Sequence, residues 1–557
     1  MVRALWFSVV LLLGCLVAGS VGDEVRRTYD SDHQHKRSAP KNTRAVPGYE
    51  EVETTSEHWW NQAQNTLRSK LDLKASANKA KNVIFFIGDG MSPQTTAATR
   101  MYLGNENKKL SFEEFPYLAT AKTYCVDRQV ADSACTATAY LSGVKTNYGM
   151  INVSPSVPRY NCNYNRTEAE FHGLLQWAQE AGKATGVVTT TRITHASPAG
   201  AYANIANRDW EDDSGVLGSS CDPTKYPDIA QQLVHGDVGK KVNVFLGGGR
   251  KHFIPETATD EENQPGKRKD GRNLINEWKE THPSSQYVWN KAGLKAVDLT
   301  KTDYLLGLFE NDHCRYNLHI DEHQLNDKEP KLSEMTETAI KMLAGKSKEG
   351  FVLFVEGGRI DTAHHESFVK LALEETAEYS RAIALARELT SVEDTLIVVS
   401  ADHSHTMTYN GYTKRGQNVL GIADISGVDN LPYSTLSYAN GEGFYLAYKD
   451  GNPAERLDIS SYNFDSSDQK YIATVPLSAE SHGGEDVDVF ASGPGAHLFQ
   501  GNLEQSVLPH LMAHAAEIGH YRKNEDEDDD DDDAGSSLVV CVQTIVVCLL
   551  AAFIKRF

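Results

Sequence analysis

Short apolar runs recur along the chain, and each stops at glycine or at a residue able to bind a cation. Val83-Ile-Phe-Phe-Ile87 stops at Gly88-Asp89-Gly90, and Phe351-Val-Leu-Phe-Val355 at Glu356-Gly-Gly. Leu396-Ile-Val-Val399 stops at Ala401-Asp402-His403, while Thr185–Thr190 runs toward His195 and Val242–Leu246 ends at three glycines. Continuous runs of this length, rather than alternating ones, are those of strands buried on both faces. Helical periodicity lies between them, near Glu168–Ala181 and from about Glu366 to Leu389. The alternation predicts an α/β fold: a doubly wound, mostly parallel central sheet flanked by helices. Such sheets bind ligands beyond the carboxyl ends of their strands. Asp89, Glu356, Asp402 and His403 all fall there.

The segments 251–290 and 409–480 break the alternation and read as surface insertions. Tyr49–Leu73, with Trp59, Trp60, Leu67 and Leu71 at helical spacing, reads as an amphipathic helix. The predicted organisation is a signal peptide over 1–22, a polar lead-in over 23–46 and a main domain over 47–505. A C-terminal helix and acidic linker follow over 506–533. The run Leu5–Val17 after Arg3 is too short to span a bilayer, which favours a cleaved signal. Residues 534–557 read as a lipid-anchor (GPI) signal, with small residues at 534–536, a weakly polar spacer and an apolar tail. The competing reading is a single-pass anchor held by Lys555 and Arg556. Either reading puts the protein on the extracellular face of the plasma membrane through the secretory pathway.

Net charge is −21, and nine consecutive acidic residues occupy Glu525–Asp533; this argues against a nucleic-acid partner. Of eight cysteines, Cys15, Cys541 and Cys548 lie in removable segments. The five left over are an odd number, so at least one stays unpaired, and Cys135 is the candidate. Asn152-Val-Ser and Asn165-Arg-Thr are glycosylation sequons.

Val130-Ala-Asp-Ser-Ala-Cys-Thr-Ala-Thr138 places Ser133 at a predicted helix start, where backbone N–H groups favour an anion. Asp and Ser are equally the residues of an ordinary helix cap. Asp361 and His365 lie four apart, on one face of a helix, and Asp402-His-Ser-His405 offers three ligands after a strand. His195, Ser197, His482 and Arg208 carry little weight alone.

Together these blocks form a family pattern. Val130–Thr138 resembles the alkaline phosphatase nucleophile signature. Ile87–Met91, Thr194–Pro198, Val355–Asp361, Ala401–His405 and Ser481–Glu485 resemble that family's metal-binding blocks. The animal, membrane-anchored branch is the nearest, because His195 and Ser197 stand where bacterial members carry Asp and Thr. The resemblance implies hydrolysis of phosphate monoesters at alkaline pH through a phosphoserine at Ser133. It implies one Zn2+ on Asp361, His365 and His482, a second on Asp89, Asp402 and His403, and an Mg2+ on Asp89, Ser197 and Glu356 with His195 in its outer shell. Arg208 would grip phosphate, and His405 would orient a ligand. A Ca2+ on Phe309, Glu310, Glu262 and Glu329, a Cys162–Cys221 disulfide, a homodimer and a crown subdomain at about 409–480 are further implications. Thr362 departs from the pattern: animal members mostly carry His there and bacterial ones Lys. The rival from another class is a catalytically silent surface receptor or adhesion protein on the same scaffold.

Overall fold

The computed structural model describes residues 51–522. The signal peptide, the lead-in, the acidic run and the anchor signal lie outside the described residues. The predicted strands form: β1 (Asn82–Gly88), β3 (Ala184–Arg192), β4 (Val244–Gly248), β7 (Phe351–Gly357) and β8 (Thr395–Ala401). They join β2 (Tyr117–Lys122), β5 (Ser285–Val288), β6 (Tyr304–Leu308) and the strands Val487–Ser492 and Gly501–Glu504 in one ten-stranded sheet. Seven strands run parallel in the order β8-β1-β7-β3-β4-β6-β5. Val487–Ser492 pairs antiparallel with both β8 and β2. All residues of β7 and β8 are buried, as continuous apolar runs require.

Register decides what meets at the top of the sheet. Ile87 on β1 and Thr189 on β3 both stand opposite Glu356 on β7, and Gly88 stands opposite Ala401 on β8. The chain leaving four adjacent strands therefore delivers Asp89, Glu356, Asp402 and the Thr189–His195 segment to one place.

Several expectations are corrected. The segment 251–290 is not all surface: Leu274 and Trp278 are fully buried and its end supplies the edge strand β5. Arg268, also buried there, is held between Asp228 at 3.0 Å and Asp270 at 2.5 Å, so its charge is paired inside the fold. The helix expected over Glu168–Ala181 is two helices, Arg166–Ala169 and Leu174–Glu180. They are split at Gly173, where a Cβ would lie 2.0 Å from the Leu141 carbonyl oxygen. The amphipathic helix forms over Ser56–Leu71, but none of its residues is buried and Trp60 is 67% exposed.

Within 407–476 the main sheet gives way to two small sheets: Met407–Tyr409, Leu436–Gly441 and Ala473–Pro476 in one, Ile422–Ile425 and Pro432–Ser434 in the other. A separate apolar cluster that includes Leu420, Tyr438 and Tyr471 holds them together.

Cysteine pairing differs from the expectation for Cys135. It is bonded to Cys125, and among the described residues the free thiol is the buried Cys314. Cys125 and Cys135 stand at the two ends of one loop with Cα atoms 5.7 Å apart, a separation a disulfide spans. Cys162 and Cys221 are bonded as the resemblance implied. Asn152 does not fit a glycan acceptor. It is 1% exposed, and its amide nitrogen donates to the Gly200 and Ala203 carbonyls at 2.8 and 2.9 Å. Asn165 is exposed.

Candidate functional site

The helix Ser133–Ser142 is buried along its whole length, which its run of Ala, Ser, Thr and Cys allows. Asp132 caps it with one oxygen: Oδ1 accepts from the Cys135 N–H at 3.3 Å and the Gly149 N–H at 2.9 Å. Its other oxygen, Oδ2, accepts from Arg208 Nη1 at 2.9 Å. The cap and the site are thus one carboxylate used twice. Ser133 Oγ, at the first turn, lies 3.3 Å from His403 Nε2.

Three clusters of ligand-type atoms surround this turn, each within a span of 4.8 Å. In the first, Asp361 and His365 face the site from the helix Arg359–His365, and His405 and His482 come from a paired two-stranded ladder. His365 Nδ1 lies 2.5 Å from the Glu480 carbonyl and His482 Nδ1 lies 2.7 Å from the Ala131 carbonyl. A carbonyl only accepts, so each Nδ1 carries the proton and each Nε2 offers a lone pair. Those two Nε2 atoms face each other at 3.0 Å, with Asp361 Oδ1 at 3.3 and 3.2 Å. Two lone pairs and a carboxylate converging in this way fit a cation between them.

The second cluster is Asp89, Asp402 and His403, all fully buried. Asp89 Oδ1 and Asp402 Oδ2 have no hydrogen-bond partner. Burial, and then the neighbouring carboxylates, pushes both carboxyls above the usual range. The third is Asp89, His195 and Glu356. Ser197 Oγ donates to Asp89 Oδ2 at 3.5 Å, and Thr191 Oγ1 to Glu356 Oε2 at 3.2 Å, with Thr189 Oγ1 also on that oxygen. Glu356 Oε1 is unpartnered, and burial pushes this carboxyl up to about 7. Orphaned carboxylate oxygens in both clusters fit cations of the hard, oxygen-seeking or borderline kind.

Arg208 completes the enclosure. Its Nη2 lies 3.0 Å from His195 Nε2, and burial together with Arg208 pushes that imidazole down to about 3. His195 is therefore neutral at working pH and leaves the arginine's charge undiluted.

Glu480 escaped the sequence reading. Besides its carbonyl on His365, its Oε2 lies 2.5 Å from His405 Nδ1, and His405 Nε2 lies 2.7 Å from Asp361 Oδ1. Its place two residues before His482 was the available signal. Thr189 and Thr191 were legible only as part of a β-branched strand.

Glu262, Phe309, Glu310 and Glu329 line one cavity of about 220 Å³, apart from the three clusters. Arg315 stands 2.9 Å from Glu310, and Arg250 is on Glu262. Glu329 Oε2 has no hydrogen-bond partner, though Arg315 Nε lies 4.0 Å away, and burial followed by the Glu310 charge pushes this carboxyl up to about 8.

The family model described as alkaline phosphatase matches residues 80–518. The chain belongs to the alkaline phosphatase family. It is similar to the membrane-bound alkaline phosphatase of Bombyx mori, 43% identical over 88% of this chain and 90% of that protein. It is 45% identical to the tissue-nonspecific isozyme of Gallus gallus over 85% and 91% of the two chains. It is 43% identical to that of Homo sapiens over 84% and 90%. The solved alkaline phosphatases of Thermus thermophilus (TM-score 0.56, 22% identity, 79% of this chain and 92% of that one) and of the Antarctic bacterium TAB5 (0.55, 20%, 80% and 99%) share the fold. This alkaline phosphatase is a phosphoric monoester hydrolase, and zinc and magnesium are the metals its family uses.

Proposed function

We propose that Ser133 is the nucleophile and that hydrolysis passes through a phosphoserine. The observation that carries this is a hydroxyl at a buried helix N-terminus, ringed by three clusters of ligand-type atoms and an arginine. The assignment that fits is Zn2+ on Asp361, His365 and His482, Zn2+ on Asp89, Asp402 and His403, and Mg2+ on Asp89, Ser197 and Glu356 near His195. Bound there, the cations supply Lewis acidity and lower the pKa of coordinated hydroxyls, which suits an alkaline optimum.

The chain's own groups do the rest. Ser133 Oγ gives up its proton and bonds to phosphorus as the ester P–O bond breaks and the alcohol leaves with a proton; water then attacks phosphorus, the Oγ–P bond breaks, and Ser133 regains its proton as phosphate departs. The N–H groups of the Ser133 turn favour the dianion. Arg208, pinned by Asp132 and His195, presents its remaining N–H groups to two phosphate oxygens, a geometry that its planar fork matches. His405 and Glu480 hold Asp361 and His365 in place.

Ser133→Ala, incubated with a labelled monoester and quenched in acid, is expected to trap no phosphoserine; a normal yield of labelled enzyme would overturn the assignment. The silent-receptor reading is not favoured, since no residue of the site is missing.

The Bombyx mori relative is named as membrane-bound. No helix among the described residues is long and apolar enough to cross a membrane, and we read residues 534–557 as a lipid-attachment signal. Phosphatidylinositol-specific phospholipase is then expected to release activity from membranes; retention would favour the single-pass anchor. A homodimer, a glycan at Asn165 and a calcium ion near Glu310 and Glu329 complete the reading. For calcium, Arg315 and Arg250 would have to give up Glu310 and Glu262.

A further inference from the structure

Arg159 lies outside the three clusters, yet its contacts enclose the phosphate-facing arginine from behind. Its Nε and Nη2 donate to Asn207 Oδ1 at 2.9 and 2.7 Å, and Nη2 also donates to Asp209 Oδ2 at 3.0 Å. Asn207 and Asp209 are the residues on either side of Arg208. The guanidinium also rests on Gly149, whose φ is +76°. A Cβ there would lie 2.2 to 2.4 Å from Arg159 Cζ, Nε and Nη1. Gly149 in turn serves both members of the Asp132–Arg208 pair. Its N–H donates to Asp132 Oδ1 at 2.9 Å, and its carbonyl accepts from the Arg208 N–H at 2.8 Å. The rings of Tyr148 and Tyr160, centred 5.5 and 4.7 Å from Arg159 Cζ, flank the guanidinium.

One planar side chain thus fixes both neighbours of Arg208 and the backbone unit that joins Arg208 to Asp132. We propose that Arg159 is a positioning residue for phosphate recognition: it sets the aim of the Arg208 fork without touching substrate. This rests on the reading that Arg208 grips phosphate. A lysine cannot replace it, because a single ammonium on a flexible stem cannot hold two acceptors and lie flat on a glycine at once.

The test uses the zinc- and magnesium-loaded enzyme and inorganic phosphate as the probe. Arg159→Ala is expected to raise the phosphate inhibition constant and KM about tenfold, the worth of roughly one charged hydrogen bond. kcat should change less than KM, and zinc content and thermal transition should match wild type. Arg159→Lys should not restore affinity, whereas added guanidinium should recover much of it in Arg159→Ala. Arg159→Met, which keeps the apolar stem but has no donor, should show the same split and carries the test if Arg159→Ala does not fold. Wild-type phosphate affinity in these variants, with Arg208→Ala impaired, would overturn the proposal. Wild-type affinity in Arg208→Ala would instead overturn the reading beneath it.

Discussion

Cys125 and Cys135, ten residues apart, are joined across the turn that carries Ala131, Asp132 and Ser133. The residues of that turn act separately. The Ala131 carbonyl orients His482, Asp132 holds Arg208, and Ser133 lies beside His403. The crosslink therefore ties down three parts of the site at once.

Replacing both cysteines by serine should lower stability by about 2 to 3 kcal/mol, the value for closing a loop of this order. Denaturant unfolding of the metal-loaded protein measures it. A variant of wild-type stability would mean that the turn is held by its hydrogen bonds alone.

Glu480→Gln keeps the carbonyl on His365 but removes the charge beside His405. Zinc affinity should fall about 10- to 100-fold, as for loss of a partner that orients a ligand. Competition with a chromogenic chelator reads this directly, and affinity equal to wild type would assign Glu480 to the fold alone.

Glu375, on the helix Val369–Leu389, is buried, and burial pushes its carboxyl from 4.5 up to about 7. A raised acid contributes stability that is full below its unfolded value and is lost as pH rises through the folded one. Glu375→Gln has no such term. Between pH 5 and pH 8.5 the stability of Glu375→Gln relative to wild type should therefore improve by roughly 2 to 3 kcal/mol. Unfolding curves at the two pH values check it, and a difference independent of pH would refute the assignment.

Asn152 and Asn165 separate cleanly. Glycosidase treatment of the secreted protein should shift its mass by one glycan, and Asn165→Gln should abolish that shift. Asn152→Ala should leave the glycan in place and destabilise by about 1 to 3 kcal/mol, since the Gly200 and Ala203 carbonyls and Ser142 Oγ lose their partner.

The sheet was legible because its strands are continuous apolar runs that end at functional residues. Asp89, Glu356, Asp402 and His403 needed little more than their distance from a strand end. Ser133, His195, Ser197 and Arg208 took meaning only from the family pattern, since alone each reads as a cap or a surface charge. Glu480 and Arg159 were hidden for a different reason. They act through residues remote in sequence, and a local pattern says little of a side chain whose partners are 75 or 48 positions away. Cysteine parity showed that a thiol was left over but not which one. The close approach of the two arms around Ser133, a tertiary fact, made that choice.

The strands that deliver Asp89, Glu356 and Asp402 are neighbours in the sheet but lie far apart along the chain, and His482 is later still. During synthesis the residues of most of the parallel sheet are therefore made before any one of the three clusters has all its donors. A cation bound at the proposed sites would then be the last component of an already built frame, unlike small domains that collapse around an ion. The apolar core must meanwhile confine mutually repelling carboxylates unaided. Chelation should accordingly leave a folded but loosened protein rather than an unravelled chain.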